Sequence, residues 1–272
     1  MSVQNFIPTV WSTKLNQAYD KAMVYGNLVN SDYQGDVSYG NTVKINTFGE
    51  ITIGDYGKNG VGDPQELDSS QTELLIDQKK FFNFKVEDVD AAQANINLLN
   101  GAMNRAAYGL ADTADRFIAN LYTEVDSKNV MGSDTDPIQL TKLDTYDILV
   151  DLNTKLSEAN VPKSERYAVV PEFAYGLLQK DDRFTKFQEI LLNGYIGNVG
   201  GLQIYTSNNV PVIDGKYKIM AGHRSAITFA SQLNKLEAYR PEKYFADAIK
   251  GLQVYGAKVI KPTGIAVLTA SK

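Results

Sequence analysis

Hydrophobic and polar positions divide the chain into recognisable elements. Trp11, Leu15, Ala18, Ala22, Tyr25 and Leu28 recur every three or four residues, which predicts an amphipathic helix from about Thr9 to Val29. Val43, Ile45, Ile51 and Ile53 fall on odd positions against polar Lys44, Asn46, Glu50 and Thr52. That is strand periodicity, interrupted at Phe48-Gly49. Gly54 to Gln71, "GDYGKNGVGDPQELDSSQ", has almost no core residues. Leu74 to Val86 resumes as a strand with Phe82, Phe84 and Val86 on one face. The pattern predicts a two-stranded arm with a long tip, and loops of more than ~12–15 residues usually have a function.

The longest helix is expected next. Asp90 and Gln93 resemble a capping box. Ile96, Leu99, Met103, Ala106, Leu110, Ala114, Phe117 and Leu121 then keep three- and four-residue steps. From Asp90 to Val125 the helix would be roughly 54 Å long at ~1.5 Å per residue, a beam for an extended subunit. Gly101 and Gly109 lie inside it, and each costs ~1 kcal/mol against alanine. Close packing against a neighbour is the expected reason, a place to bend the alternative.

After "SDTDP" the pattern becomes mixed. Thr145 to Ala159 reads as a helix, Arg166 to Val170 as a strand, and Pro171 as the start of a helix through "EFAYGLLQ". "KYKIMAG", "AITFA", "KLEAYR", "GLQVYGAKVI" and "GIAVLTA" read as further strands. Gly194, Gly197, Gly200 and Gly201 precede Leu202, Ile204 and Thr206 on alternate positions. This is a hairpin leading into a strand, not a phosphate loop, since there is no following helix whose N–H groups would hold an anion.

Composition narrows the chemistry. The 272 residues carry a formal net charge of −5, one histidine and no cysteine. Disulfides and thiolate metal sites are excluded, and no basic patch marks a free-standing nucleic-acid binder. No run reaches the ~18 apolar residues of a membrane helix, and "MSVQNFIPTVW" lacks the pattern of a secretory signal. His223 has Ser225 two residues away, which fits no triad signature. The acid pairs Asp181-Asp182 and Asp88 with Asp90 fit caps and turns better than a cation site. No cofactor or metal is expected, and no enzyme. Sixteen tyrosines suit protein–protein contacts.

The order of parts and several strings resemble the major capsid protein of tailed bacteriophages, the Hong Kong 97 phage fold shared with encapsulins. The strings are "FIPTVWSTKLNQAYDKAMVYGNLVN", "GDVSYGNTVKI", "PKSERYAVVPEFAYGLLQKDDRF", "GYIGNVGGLQIYTSNNVP" and "GLQVYGAKVIKPTGIAVL". The resemblance implies an α+β fold. Its implied parts are an N-terminal arm (1–30), a peripheral-domain strand (31–49), an extended loop (50–80), a peripheral domain with a spine helix (81–139), an axial domain (140–225), peripheral strands (226–250) and closing axial strands (251–272). It implies a structural subunit that self-assembles as pentamers and hexamers into an icosahedral head around double-stranded DNA, which lines the interior without sequence-specific binding. Scaffolding and portal proteins are the other expected partners, with no membrane, and assembly is expected in the host cytoplasm. A separate scaffolding protein is expected, because no extra segment precedes the arm. Trp11, Tyr19, Tyr56, Lys58, Asn59 and Pro64 are the candidate inter-subunit contacts. Gly54 to Gln71 is expected to gain exchange protection only in the shell. Lys58 and Asn59 offer a donor for the Lys–Asn isopeptide bonds that weld some shells of this family; an acceptor and a catalytic glutamate do not match residue by residue. The alternatives are an encapsulin-like nanocompartment shell and, from another class, a phage tail-associated or β-rich binding module.

Overall fold

The computed structural model describes residues 15, 18–19, 23–33, 42–48, 53, 69–87, 96–181, 195–243 and 246–272. Strand β1 (Thr42–Phe48) pairs antiparallel with β2 (Ser69–Leu75), Thr42 opposite Leu75 and Phe48 opposite Ser69. Val43 and Ile45 are buried between exposed Thr42 and Lys44, as the alternation predicts. Ser69 to Gln71 already belong to β2, so the expected tip closes earlier than Gln71. Residues 49–52 and 54–68 lie outside the described residues.

The expected single strand from Leu74 to Val86 is two strands. β2 ends at Leu75, and β3 (Gln78–Glu87) joins a different sheet. Leu74, Ile76, Phe82 and Phe84 keep one parity across the corner, so the alternation conceals it. The corner exists because Leu74 and Ile76 bury with Val43, Ile45, Ala230 and Val254 in a small separate core. There the Leu75 carbonyl lies against the backbone of Gly256; a Cβ on that glycine would stand 2.0 Å from it.

Helix α1 (Tyr25–Leu28) follows a break at Met23–Val24, although Leu15, Ala18 and Tyr19 are helical. The helix expected through Val29 is therefore interrupted. Helix α2 (Ile96–Ala119) is the spine, and it tightens into a 3-10 helix over Asn120–Glu124. Its 24 α-helical residues span about 36 Å, and residues 90–95 of the expected helix lie outside the described set. Val125 is already extended. The buried face is Met103, Ala107, Leu110, Ala111, Ala114 and Ile118. Ala106 and Phe117, expected on the stripe, are only half-buried. Alanine is ambiguous in such a pattern; here Ala107, Ala111 and Ala114 let the arm residues Leu15, Tyr19, Met23 and Tyr25 join the same core.

The remaining elements form a mixed sheet and complete the three-stranded one. β4 (Val130–Met131) and β5 (Ile138–Gln139) precede helix α3 (Thr145–Glu158), β6 (Arg166–Val170) and helix α4 (Glu172–Leu178). β7 (Tyr195–Val199), β8 (Leu202–Thr206), β9 (Val212–Ile213) and β10 (Lys216–His223) follow. Then come β11 (Ile227–Tyr239), β12 (Ala246–Val259) and β13 (Ile265–Ser271). The large sheet runs β4-β13-β10-β6-β8-β7, with β5 on β13 and β9 on β10, and α3 packs across β13, β10 and β7. The second sheet runs β11-β12-β3. "AITFA" and "KLEAYR" are one strand with a register shift between Leu233 and Lys235. β12 runs unbroken through Lys250 and Gly251, so the division expected between residues 250 and 251 falls inside a strand.

Candidate assembly surfaces

The spine helix holds the N-terminal segment through a carboxylate. Asp115, only 1% exposed, accepts the backbone N–H of Val24 at 2.6 Å and of Gly26 at 3.0 Å. A helix start leaves such donors unpaired, and a side chain 91 residues distant satisfies them. Burial pushes the Asp115 carboxyl up to about 6, and the backbone N–H groups of Val24, Gly26 and Tyr25 counter only part of that rise. Sequence reasoning passed over this residue. The available signal is an acid at helical spacing between Ala111 and Ile118.

The glycine-rich stretch is a hairpin. Gly200 and Gly201 turn between β7 and β8 with φ of +58° and +102°, a backbone that favours glycine. Asn198 Oδ1 accepts the Gly201 N–H at 2.8 Å, and Asn153 Nδ2 donates to the Gly200 carbonyl at 2.6 Å. Asn153 in turn accepts from Arg166, a residue only 2% exposed. Nη1 donates to Asn153 Oδ1 at 2.6 Å and Ser157 Oγ at 2.8 Å, Nε donates to the Pro162 carbonyl at 2.8 Å, and Nη2 donates to the Val161 carbonyl. The charge sits where helix α3 ends, the side its dipole favours. Burial holds the guanidinium below its usual range. This network fixes the loop to α3 and β6; its role is architectural.

His223 caps a short 3-10 turn. Its Nδ1 accepts the Ser225 N–H at 3.1 Å and lies 2.9 Å from Ser225 Oγ. Burial lowers the imidazole below its ordinary value. The serine meets the ring nitrogen that already closes the turn. Among the described residues no group of three His, Cys, Asp or Glu side chains is placed to hold a metal. Asp181 is buried; Asp88, Asp90 and Asp182 lie outside the described residues.

Of the candidate contacts, Tyr19 is 6% exposed inside the chain's own core, and burial raises its phenol far above the ordinary value. It anchors the arm internally. Trp11, Tyr56, Lys58, Asn59 and Pro64 lie outside the described residues. Among the described residues the exposed large apolar side chains are elsewhere: Ile53 at 95%, Phe81 at 75%, Leu75, Tyr108, Val130, Leu143 and the pair Val212 and Ile213. Among the described residues no helix is long and apolar enough to cross a membrane.

Residues 71–268 match the family model described as Phage capsid protein, and the chain belongs to that family. No curated protein matches it. A chain in the structure of Mycobacterium phage Che8 is similar at 31% identity and a TM-score of 0.70, covering 90% of each chain. A capsid chain of cyanophage P-SCSP1u is similar at 17% identity and a TM-score of 0.69, covering 92% of this chain and 88% of that one. The holo-SrpI encapsulin of Synechococcus elongatus PCC 7942 shares the fold at 12% identity and a TM-score of 0.55, covering 84% and 81%. The fold is thus the α+β Hong Kong 97 type, and the chain is a structural phage major capsid protein of the virion capsid.

Proposed function

We propose that this subunit tiles an icosahedral phage head as pentamers and hexamers, enclosing double-stranded DNA without sequence-specific binding. The carrying observation is the β1–β2 arm, a two-stranded ladder that pairs with no other strand among the described residues. Its apolar face packs on Ala230 and Val254 of its own chain, while its strand edges are left for a neighbouring copy to cover. The proposed parts follow the order above, with residues 1–30 as the arm, 50–80 reaching over an adjacent subunit and 140–225 as the axial domain. The peripheral strands extend to Val259 to include all of β12, and the closing axial strand is β13. Trp11, Tyr56, Lys58, Asn59 and Pro64 are proposed contacts between copies. Scaffolding and portal proteins guide assembly in the host cytoplasm, and the subunit's role is mechanical rather than catalytic.

Negative-stain microscopy and sedimentation of the full chain, expressed alone and with a candidate scaffolding protein, test this. Closed shells of uniform diameter are expected with the scaffold; a monomer or trimer under both conditions overturns the reading. Closed shells of correct size from the chain alone would remove the scaffold from it. A lumen filled with protein cargo instead of DNA in particles from infected cells would favour a nanocompartment.

A further inference from the structure

The three-stranded sheet runs β11-β12-β3, and its two edges differ. Along β11 the pairing slips between Leu233 and Lys235, and such a bulge turns an edge away from strand addition. The start of that edge is also occupied. Phe229 N–H donates to the Asn30 carbonyl at 2.8 Å, and Asn30 N–H donates to the Ile227 carbonyl at 3.0 Å. β3 has neither device. Its ten residues, Gln78–Glu87, pair with β12 without a register shift. Among the described residues no strand pairs with the other side of β3. At ~3.4 Å per residue this is an open edge of about 34 Å.

The face beside this edge has a defined chemistry. Lys79, Phe81 and Asn83 are exposed on it, Phe81 at 75%. The register sets Leu252 beside Phe81 and Lys250 beside Asn83, with Lys235 beyond Leu252. Phe81, Asn83, Lys235, Glu237, Lys250 and Leu252 line a cleft of about 320 Å³. Lys250 engages Glu237 at 2.9 Å, and Lys79 and Lys235 are exposed as well. Three lysines against one glutamate make this face positive on a chain that carries −5. Lysine at an edge repels the same edge of another copy, which is how many sheets avoid pairing with themselves. It does not repel an acidic strand, and Phe81 gives such a strand an apolar seat.

We propose that β3 accepts an extended acidic strand from a protein other than this one. The strand sets an acid opposite Lys79, an apolar side chain opposite Phe81 and a second acid opposite Asn83, where it faces Lys250. An acid, an apolar residue and an acid on alternate positions lie on one side of a strand, so the partner's pattern is fixed by β3. Main-chain hydrogen bonds along the edge supply affinity, and the face supplies selection. Each exposed ion pair is weak alone; the charges act chiefly by admitting one sign of partner and refusing the other. This goes beyond the reading of the chain as a shell subunit, since it names a surface for a second kind of chain.

Fluorescence anisotropy of a labelled probe peptide, acetyl-TETVTET-amide, tests it on the full chain, both as unassembled subunit and as sedimented particles. Binding to both is expected, weakening as salt is raised. Two N-methylated probes, one for each alternating set of N–H groups, keep the charge and remove the donors. One should lose binding and the other keep it, because only one set points at the edge; equal effects overturn strand addition. Lys79→Glu with Lys235→Glu should weaken the acidic probe at least about tenfold and admit the basic counterpart, acetyl-TKTVTKT-amide. Unchanged affinities overturn the selection by charge. No binding to subunit or particle overturns the proposal. Binding to the subunit but not to particles means that a second copy covers the edge in the shell, which overturns the foreign partner. Sedimentation reads the shell separately: binding without particles sinks the shell reading and leaves the docking standing, and particles without binding do the reverse.

Discussion

The Asp115 carboxylate accepts the Val24 N–H at 2.6 Å across 91 residues of chain. One buried charge thus joins the spine helix to the N-terminal segment, and its burial makes the joint sensitive to pH. The carboxyl stands at about 6 in the folded chain against 3.8 for the unperturbed group. The folded state therefore holds this proton more tightly than the unfolded state. Its contribution is fully present below about 4 and is lost as pH rises through about 6, a difference of roughly 3 kcal/mol. Urea unfolding of the unassembled subunit should show wild-type stability falling across this window relative to Asp115→Asn, which cannot titrate. Parallel curves for the two proteins would refute the assignment.

Gly256 and Gly251 test how the arm is seated. A Cβ at Gly256 meets the Leu75 carbonyl at 2.0 Å, which is backbone; one at Gly251 meets the Phe82 ring at 2.4 Å, which is a side chain that can rotate. Gly256→Ala should destabilise by about 2–4 kcal/mol and Gly251→Ala by about 1 kcal/mol. Denaturation midpoints compare them directly, and equal losses would mean that the β2–β3 corner yields as easily as a ring.

Arg166→Lys should lose about 2–4 kcal/mol despite keeping the charge. A lysine cannot reproduce the fork that reaches Asn153, Ser157, Val161 and Pro162 together. Arg166→Met should cost at least as much, since Asn153, Ser157, Val161 and Pro162 then lose the guanidinium donors. A change below about 0.5 kcal/mol in either variant would show that water replaces the guanidinium.

Gly109 is exposed on α2, and nothing lies within 4 Å of where its Cβ would stand. Among the described residues nothing packs on it, and α2 continues through it without a break. Gly109→Ala should raise the stability of the unassembled subunit by about 0.5–1 kcal/mol. A loss measured by the same urea titration would reveal strain at this turn of the helix.

Much of the fold was legible because burial writes itself as periodicity. Val43 and Ile45, Phe82 and Phe84, and Leu149, Leu152 and Leu156 lie where their spacing places them. The Gly200–Gly201 turn was readable because few other residues take its backbone angles. The contact candidates were less legible: Tyr19 faces its own core, since an aromatic on an amphipathic stripe has the same pattern whichever surface covers it.

The sequence by itself determined the elements, the absence of thiol chemistry and the family, because these depend on residue type and local spacing. Tertiary structure alone decided that the Leu74–Val86 alternation turns a corner at Ile76 and Asp77, that Asp115 caps the start of α1, and that Arg166 locks the hairpin. Each of these rests on a partner distant in sequence, and a periodic pattern records that a face is buried without recording what buries it.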